Sequence, residues 1–387
     1  YVYDYFSETL RDRKSFNQEF RAVSDSADFQ KNSFFEWVIG ANYLELKETN
    51  LKKDDGLYGD PSDPYGPYAS ASASSSKYKS SNFSVFGNLD YLLSASLKFS
   101  IGLRWEDWEA DYSDSLQESF NPTDKMSGGK ISLIKNMTND TNMYASLAKG
   151  YKQGGFNLGL GLDANATNKN LAYDPEFLTN YELGINTKLL DSRITFNGVL
   201  FYSDREDQQV LISTQTDPSD PNTFSFLTQN AAEGVNHGLE INMDMDINQS
   251  LSAFVNLGIL KTEIKNWQSR QDLEGRAQAH APERSYALGL NWAPTSHTYL
   301  AIDFTGKSSF YYSDSHNNKS KSYVLTNLNL GYVKNNWNYE LWARNIFDEY
   351  YSVRGFYFGN EAPNFIDTLY ERHGDPRHIG LSIRYDF

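Results

Sequence analysis

The chain has 387 residues, 39% of them hydrophobic and 15% aromatic, no Cys, and a formal net charge of −15. The missing Cys excludes disulfides, thiolate metal sites and cysteine nucleophiles, and the acidic balance argues against nucleic acid, whose phosphates call for basic patches. So many aromatics exclude a disordered chain, and no apolar run approaches the ~18 residues of a membrane-spanning helix.

The chain opens with Tyr1-Val-Tyr-Asp-Tyr-Phe6, which already alternates like a strand and has neither a basic nor an apolar signal-peptide region. The expectation is that the mature chain begins here or that a segment precedes it. Successive side chains of a strand point to opposite faces, so a half-buried strand shows apolar residues at every second position. Residues 97–106 set Leu97, Phe99, Ile101, Leu103 and Trp105 against Lys98, Ser100, Gly102, Arg104 and Glu106. Tyr181, Leu183, Ile185 and Leu189 oppose Glu182, Gly184, Asn186 and Lys188, and the run from Leu239 to Asn248 repeats the pattern. At the C-terminus Leu381, Ile383, Tyr385 and Phe387 oppose Ser382, Arg384 and Asp386. Helical spacing is nearly absent. The chain reads as all-β.

The alternation predicts about 16 strands, near 1–11, 15–25, 33–48, 79–92, 95–112, 127–136, 141–151 and 178–190, then 192–214, 223–247, 250–265, 280–293, 298–312, 321–334, 337–353 and 376–387. Short turns at 93–95, 137–140, 190–192, 248–250, 294–297 and 335–336 alternate with long polar segments at 49–79, 113–126, 152–178, 215–223, 266–279, 312–321 and 354–375. Short turns on one side and long loops on the other are the layout of an antiparallel transmembrane β-barrel. Aromatics near strand ends (Tyr202, Trp267, Trp292, Tyr299, Tyr311, Tyr312, Trp337, Tyr350) are expected in membrane-interface girdles. A soluble sandwich fits less well, because its strands stop alternating after about 5–6 residues.

Several stretches resemble one family. They are Ala148-Lys-Gly-Tyr-Lys-Gln-Gly-Gly-Phe-Asn157, Tyr173-Asp-Pro-Glu-Phe-Leu-Thr-Asn-Tyr-Glu-Leu-Gly184, Asn230-Ala-Ala-Glu-Gly-Val-Asn-His-Gly-Leu-Glu240 and Trp342-Ala-Arg-Asn-Ile-Phe-Asp-Glu-Tyr-Tyr351. With Asn17-Gln-Glu-Phe-Arg21, Phe35-Glu-Trp-Val-Ile-Gly-Ala-Asn-Tyr43 and the terminal Arg377–Phe387, they are similar in order and spacing to the TonB-dependent outer-membrane receptors, in particular the iron-complex group. Phe387 on an alternating last strand is similar to the assembly signal of such barrels. The resemblance implies a 22-stranded barrel filled by an N-terminal plug, with energy supplied by the inner-membrane TonB complex. No plug or energy-coupling box is recognisable here, so residues 1–387 are expected to be barrel only, the C-terminal portion, joining the wall at its seventh strand. The competing expectation is a complete 16-stranded porin, in which residues 1–11 hydrogen-bond to residues 376–387.

No enzyme site is expected. The six His lack metal-ligand spacing, no nucleophile elbow or triad is present, and Gly159-Leu-Gly-Leu-Asp-Ala164 lacks the helix that a dinucleotide fingerprint requires. No cofactor is expected beyond a transported ligand. Binding is expected on long loops. Candidates are Tyr151, Lys152, Gln153, Phe156 and Asn157 at one loop base, Tyr311, Tyr312 and His316 at another, and Arg354, Phe356, Tyr357, Phe358, Arg372 and His373. Aromatics interspersed with cations suit planar anionic chelates, through stacking and charge-assisted hydrogen bonds. Because Tyr151, Lys152 and Gln153 lie in a motif shared across the family, they fit a structural role better than a ligand-specific one, and the cluster at 354–373 is the preferred binding candidate. The expected partners are outer-membrane lipid, the TonB complex and a small ligand. That ligand is a ferric siderophore first, with a corrinoid or an oligosaccharide as alternatives.

Overall fold

The computed structural model describes residues 2–24, 34–59, 67–115, 119–157, 172–215, 224–267, 270–359, 361, 364 and 366–387. In chain order the strands are β1 (Val2–Val23), β2 (Phe35–Gly59), β3 (Tyr68–Ser94), β4 (Leu97–Asp114), β5 (Ser119–Phe120), β6 (Thr123–Asn136) and β7 (Thr141–Lys152). Next come β8 (Gly155–Phe156), β9 (Ala172–Tyr173), β10 (Glu176–Leu189), β11 (Ile194–Gln215), β12 (Phe224–Asn248), β13 (Leu251–Asn266) and β14 (Arg284–Thr295). The last are β15 (Thr298–Lys307), β16 (Tyr323–Lys334), β17 (Trp337–Arg344), β18 (Ser352–Phe358), β19 (Thr368–His373) and β20 (His378–Tyr385). Sixteen of them form one antiparallel sheet, in the order β1-β2-β3-β4-β6-β7-β10-β11-β12-β13-β14-β15-β16-β17-β20 with the two-residue β5 beside β4. Every long strand pairs with its neighbours in sequence, as hairpin connections dictate.

The register shows why the alternation is so regular. Leu381, Leu341, Leu330, Leu300, Trp292 and Leu251 are direct partners across six neighbouring strands. Leu330, Leu341 and Leu381 are 43%, 49% and 64% exposed, on a face with no protein against it. A continuous exposed band of this kind suits hydrocarbon and not water. The opposite face carries polar groups that bond to one another across strands. Asn327 donates to Asp303 at 2.7 Å, and Asn82 and Arg104 both donate to Glu106. Among the described residues, buried apolar clusters gather past the band, toward the long loops. One holds Trp108, Tyr112, Met126 and Phe156, the other Val210, Ala232, Ile264, Trp267 and Leu273.

The structure departs from the sequence expectations in several places, and the strands expected at 298–312 and 337–353 end early, at Lys307 and Arg344. The two strands expected at 1–11 and 15–25 are one, β1 (Val2–Val23), because Asp12, Arg13 and Lys14 continue the ladder and pair with Thr49, Glu48 and Lys47. Arg13 also donates to Glu48 at 2.7 Å. The segment 49–79 is mostly wall: Ala69 to Ser76 pairs with Leu57 to Asn50, since small side chains without Pro extend a ladder readily. The segment 354–375 contains a hairpin, β18 against β19. Trp267 and Tyr312, each 2% exposed, lie in the interior and outside any girdle, and Tyr299 covers Gly331 on the polar face, while Tyr202, Trp292 and Trp337 are exposed on the apolar face. The segments at 158–171 and 216–223 lie outside the described residues, and the Gly159–Ala164 motif with them.

Among the described residues β1 pairs only with β2 and β20 only with β17, so the wall has two free edges. The pairing that a closed 16-stranded porin requires is not made. Leu330→Arg places a charge on the apolar band and should cost roughly 2–4 kcal/mol near the membrane midplane. An unchanged unfolding midpoint in bilayers would contradict the register.

Candidate ligand-binding site

The largest group of expected binding residues converges where four segments meet at the long-loop end. A cavity of about 490 Å³ is lined there by Gln208 and Gln209 of β11, His280, Asp314 and His316, and Arg354 to Phe358 of β18. Three of the segments arrive by a local irregularity. On β11, even-numbered residues from Ile194 to Tyr202 share the apolar outer face. The register then slips between Arg205 and Gln209, Asp207 takes a left-handed conformation (φ 54°), and Val210 turns into the interior cluster. His280 is also left-handed (φ 55°), and its N–H donates to the Tyr311 carbonyl at 2.8 Å.

Arg276 organises the loop before β16. Its side chain is only 8% exposed, and it pairs with Asp314 at 2.9 Å. The same guanidinium donates to the Asn317 side chain (2.8 Å) and to the backbone carbonyls of His316 (3.0 Å) and Ser313 (3.1 Å). Its carbon also lies 4.3 Å from the Tyr311 ring centroid, and the Lys319 ammonium 4.1 Å from it. The Tyr311 ring is therefore engaged by two cations of the protein itself, a stacking preference of electron-rich faces. It does not line the cavity.

Tyr312 joins this loop to the hairpin. Its ring lies against Gly355, where an added Cβ would come within 2.4 Å of Tyr312 Cδ2, so only glycine admits the approach. Its hydroxyl donates to Glu371, the residue directly opposite Gly355 on β19. Burial, with help from that carboxylate, pushes the Tyr312 phenol up to about 12, and the same hydrogen bond holds the Glu371 carboxyl below its ordinary value. Burial pushes the imidazoles of His316 and His280 down, with Arg276 adding to the first and Arg354 to the second.

On the other face of the hairpin Arg354 and Arg372 are direct cross-strand partners. Arg354 stacks on Phe356 at 4.8 Å, and among the described residues no carboxylate lies within ion-pair distance of either arginine. Like charges directly opposite are unfavourable by about 0.2–1 kcal/mol. His373 lies beyond the cavity at the hairpin base, its Nε2 2.6 Å from the Tyr350 hydroxyl. Of the sequence candidates, the cavity brings together Tyr312, His316, Arg354, Phe356, Tyr357 and Phe358.

The remaining candidate group sits elsewhere. Phe156 is 8% exposed in an aromatic cluster with Tyr78, Tyr112 and Phe120, at centroid distances of 5.7, 5.1 and 5.8 Å. Tyr151 donates to Glu106 at 3.0 Å, and Asn157 exchanges two hydrogen bonds with the Thr228 backbone. The Gln153 carbonyl accepts from Gln209 at 2.9 Å, and Lys152 lies exposed opposite Glu176. Sequence reading missed Gln208, Gln209, Arg276, His280 and Asp314. The polar run from Asp204 to Gln209, which interrupts an otherwise apolar alternation, was the one available signal.

Arg276→Ala removes the cation paired with Asp314, which keeps the Ala279 N–H, and the donor to two half-buried carbonyls. Breaking this half-buried pair costs less than the about 3–5 kcal/mol of a fully buried one, and the loss should be local. Hydrogen exchange of residues 310–320 should accelerate strongly while the wall stays protected; unchanged protection would contradict the role given to Arg276. The depressed imidazoles also set a pH response. A group whose pKa is lowered on folding stabilises the fold above its unfolded value, near 6.5 for His, and that contribution is lost as pH falls through the folded value. Protection factors in residues 310–320 and 352–359, corrected for the intrinsic slowing of amide exchange, should therefore fall as pH drops below about 6.5, and a flat profile would contradict it.

Comparison with known proteins agrees with this architecture. A family model described as the TonB dependent receptor-like β-barrel matches residues 1–346. The pesticin receptor of Yersinia pestis is 23% identical over 267 residues, covering 67% of this chain and 36% of the relative. The ferric yersiniabactin uptake receptor of Yersinia pestis superposes with a TM-score of 0.75 at 19% identity, over 99% of this chain and 55% of that one. The siderophore receptor PiuA of Acinetobacter baumannii gives 0.74 at 17% identity, over 97% and 56%. The match thus spans about a third of the curated relative and just over half of each solved receptor. With its antiparallel wall, outward apolar band and long-loop site, the chain belongs to the TonB-dependent receptor family of bacterial outer-membrane β-barrels.

Proposed function

We propose that the protein captures a small anionic chelate, most simply a ferric siderophore, at the long-loop end of the barrel and delivers it for TonB-driven import. The observation that carries this reading is the pair Arg354 and Arg372, directly opposite each other without a carboxylate partner and beside a cavity lined by aromatic side chains. An anion placed between the two guanidiniums would remove their repulsion and accept charge-assisted hydrogen bonds. Phe356 and Tyr357 offer faces for a planar ligand, and His316, Gln208 and Gln209 offer polar atoms for orientation. A cavity of about 490 Å³ falls in the size range of small-ligand sites. The names of the structural relatives, a ferric yersiniabactin uptake receptor and a siderophore receptor, support iron over a corrinoid or an oligosaccharide.

The two free edges support a second part of the proposal. A sheet edge is not tolerated in lipid, so β1 and β20 need partners, and strands outside this sequence would supply them. In a 22-stranded wall, β1 would then take one place later than the seventh position that the resemblance implied, because the first two expected strands are one. On this reading Phe387 follows the last wall strand, and no catalytic step is involved.

In the full-length receptor, Arg354→Gln with Arg372→Gln should weaken binding of ferric chelates by tenfold or more, about 1.4 kcal/mol or above, with the barrel still assembled. Growth on single ferric chelates as iron source identifies the ligand, and removal of residues 354–375 should abolish that growth. Wild-type affinity in the double variant would overturn the site. Large single-channel conductance of the full-length protein would favour passive diffusion instead.

A further inference from the structure

A second charged group lies on the opposite surface of the wall, facing lipid. The cross-strand register fixes which side chains share that face. Leu239 on β12 is opposite Ile259 on β13, and both belong to the apolar band. Two residues further toward the long loops, His237 is opposite Lys261, again on the outer face. Ile259 is in turn opposite Arg284 on β14, with Leu257 opposite Tyr286 below it. His237, Lys261 and Arg284 therefore occupy adjacent positions on three neighbouring strands at the upper border of the band. Directly opposite side chains stand about 5 Å apart and diagonal ones about 7–8 Å, so the three can reach one anion.

Two further observations point to an occupant. Lys261 and Arg284 are exposed, and among the described residues neither has a carboxylate within 4.0 Å. The next outward carboxylate on β13, Glu263, bonds Lys265 at 2.8 Å and acts on Lys261 and His237 only through space. The His237 ring stacks on Tyr202, whose centroid is 6.2 Å away, and Tyr202 meets Tyr181 at 6.3 Å. Aromatics of this kind mark the headgroup level of a bilayer. In a chain of net charge −15, cations left over the edge of an apolar band match one class of ligand by charge and by shape, an anionic amphiphile.

We propose that His237, Lys261 and Arg284 form a binding site for the phosphate headgroup of an outer-leaflet membrane lipid, whose acyl chains lie along the apolar side chains beneath, among them Leu239, Leu257 and Ile259. The site is separate from the ligand cavity and does not depend on the function proposed for it. It gives this part of the wall a preferred lipid neighbour and fixes its depth in the bilayer.

The test uses the full-length receptor in nanodiscs containing spin-labelled phosphatidylglycerol or spin-labelled phosphatidylcholine, and measures the immobilised fraction of each. The wild type should retain the anionic lipid preferentially. His237→Asn with Lys261→Gln and Arg284→Gln should bring it down to the phosphatidylcholine level, about fivefold for each cation removed. The charge-conserving Lys261→Arg with Arg284→Lys should keep the preference, and so should Lys135→Gln, which removes an outer-face cation on the short-turn side. No preference in the wild type, full preference in the triple variant, or equal loss in Lys135→Gln would overturn the site. Saturable binding of inorganic phosphate to these residues in phosphatidylcholine discs would assign them to a soluble anion and also overturn it.

Discussion

Backbone N–H and C=O groups have no water to turn to in hydrocarbon, so each must find a partner within the protein. Everything else in the wall follows from that requirement. Strands of 22 to 27 residues, such as β1, β2 and β3, run far past the thickness of a bilayer because nothing interrupts their ladders. Side chains are then sorted by parity alone. One set meets lipid, the other meets a polar interior, and a slip of one residue would exchange them. The regularity of the membrane portion and the irregularity of the long-loop end are two sides of this: bulges and left-handed residues occur where water is again at hand, at Asp207, His280 and Asn345.

That division explains what could be read from the sequence. The outward face was legible because period-two alternation is a direct projection of the register, and Leu103, Leu183 and Leu381 fell where it put them. Element ends were less legible. Asp12-Arg13-Lys14 looks like a polar break, yet its charges are accommodated above the membrane by Glu48 and its neighbours. The serine- and alanine-rich stretch at 69–76 looks like a flexible tip, and pairs because its partner strand is already there. Local composition gave no hint of either, because the deciding neighbour is distant in sequence.

The candidate site divides in the same way. Arg354, Phe356 and Tyr357 stand out as aromatics interspersed with a cation, and they line the cavity. Arg276 does not stand out, since a lone arginine in a polar loop carries no pattern. Its importance arises from burial and from four acceptors that the fold collects around it. Tyr311 and Tyr312 look alike in sequence, and the structure separates them: one ring is held by cations of its own chain, the other is packed on Gly355.

The grip of Arg276 on its loop has an evolutionary consequence. Two of the four groups it holds are main-chain carbonyls, those of Ser313 and His316, which any residue would present. Replacing the side chain at 315 therefore leaves the frame in place while changing what the cavity displays. A lineage can retune its ligand by substitution on a loop whose shape is anchored elsewhere, and so follow a changing supply of chelates without having to solve the folding problem again.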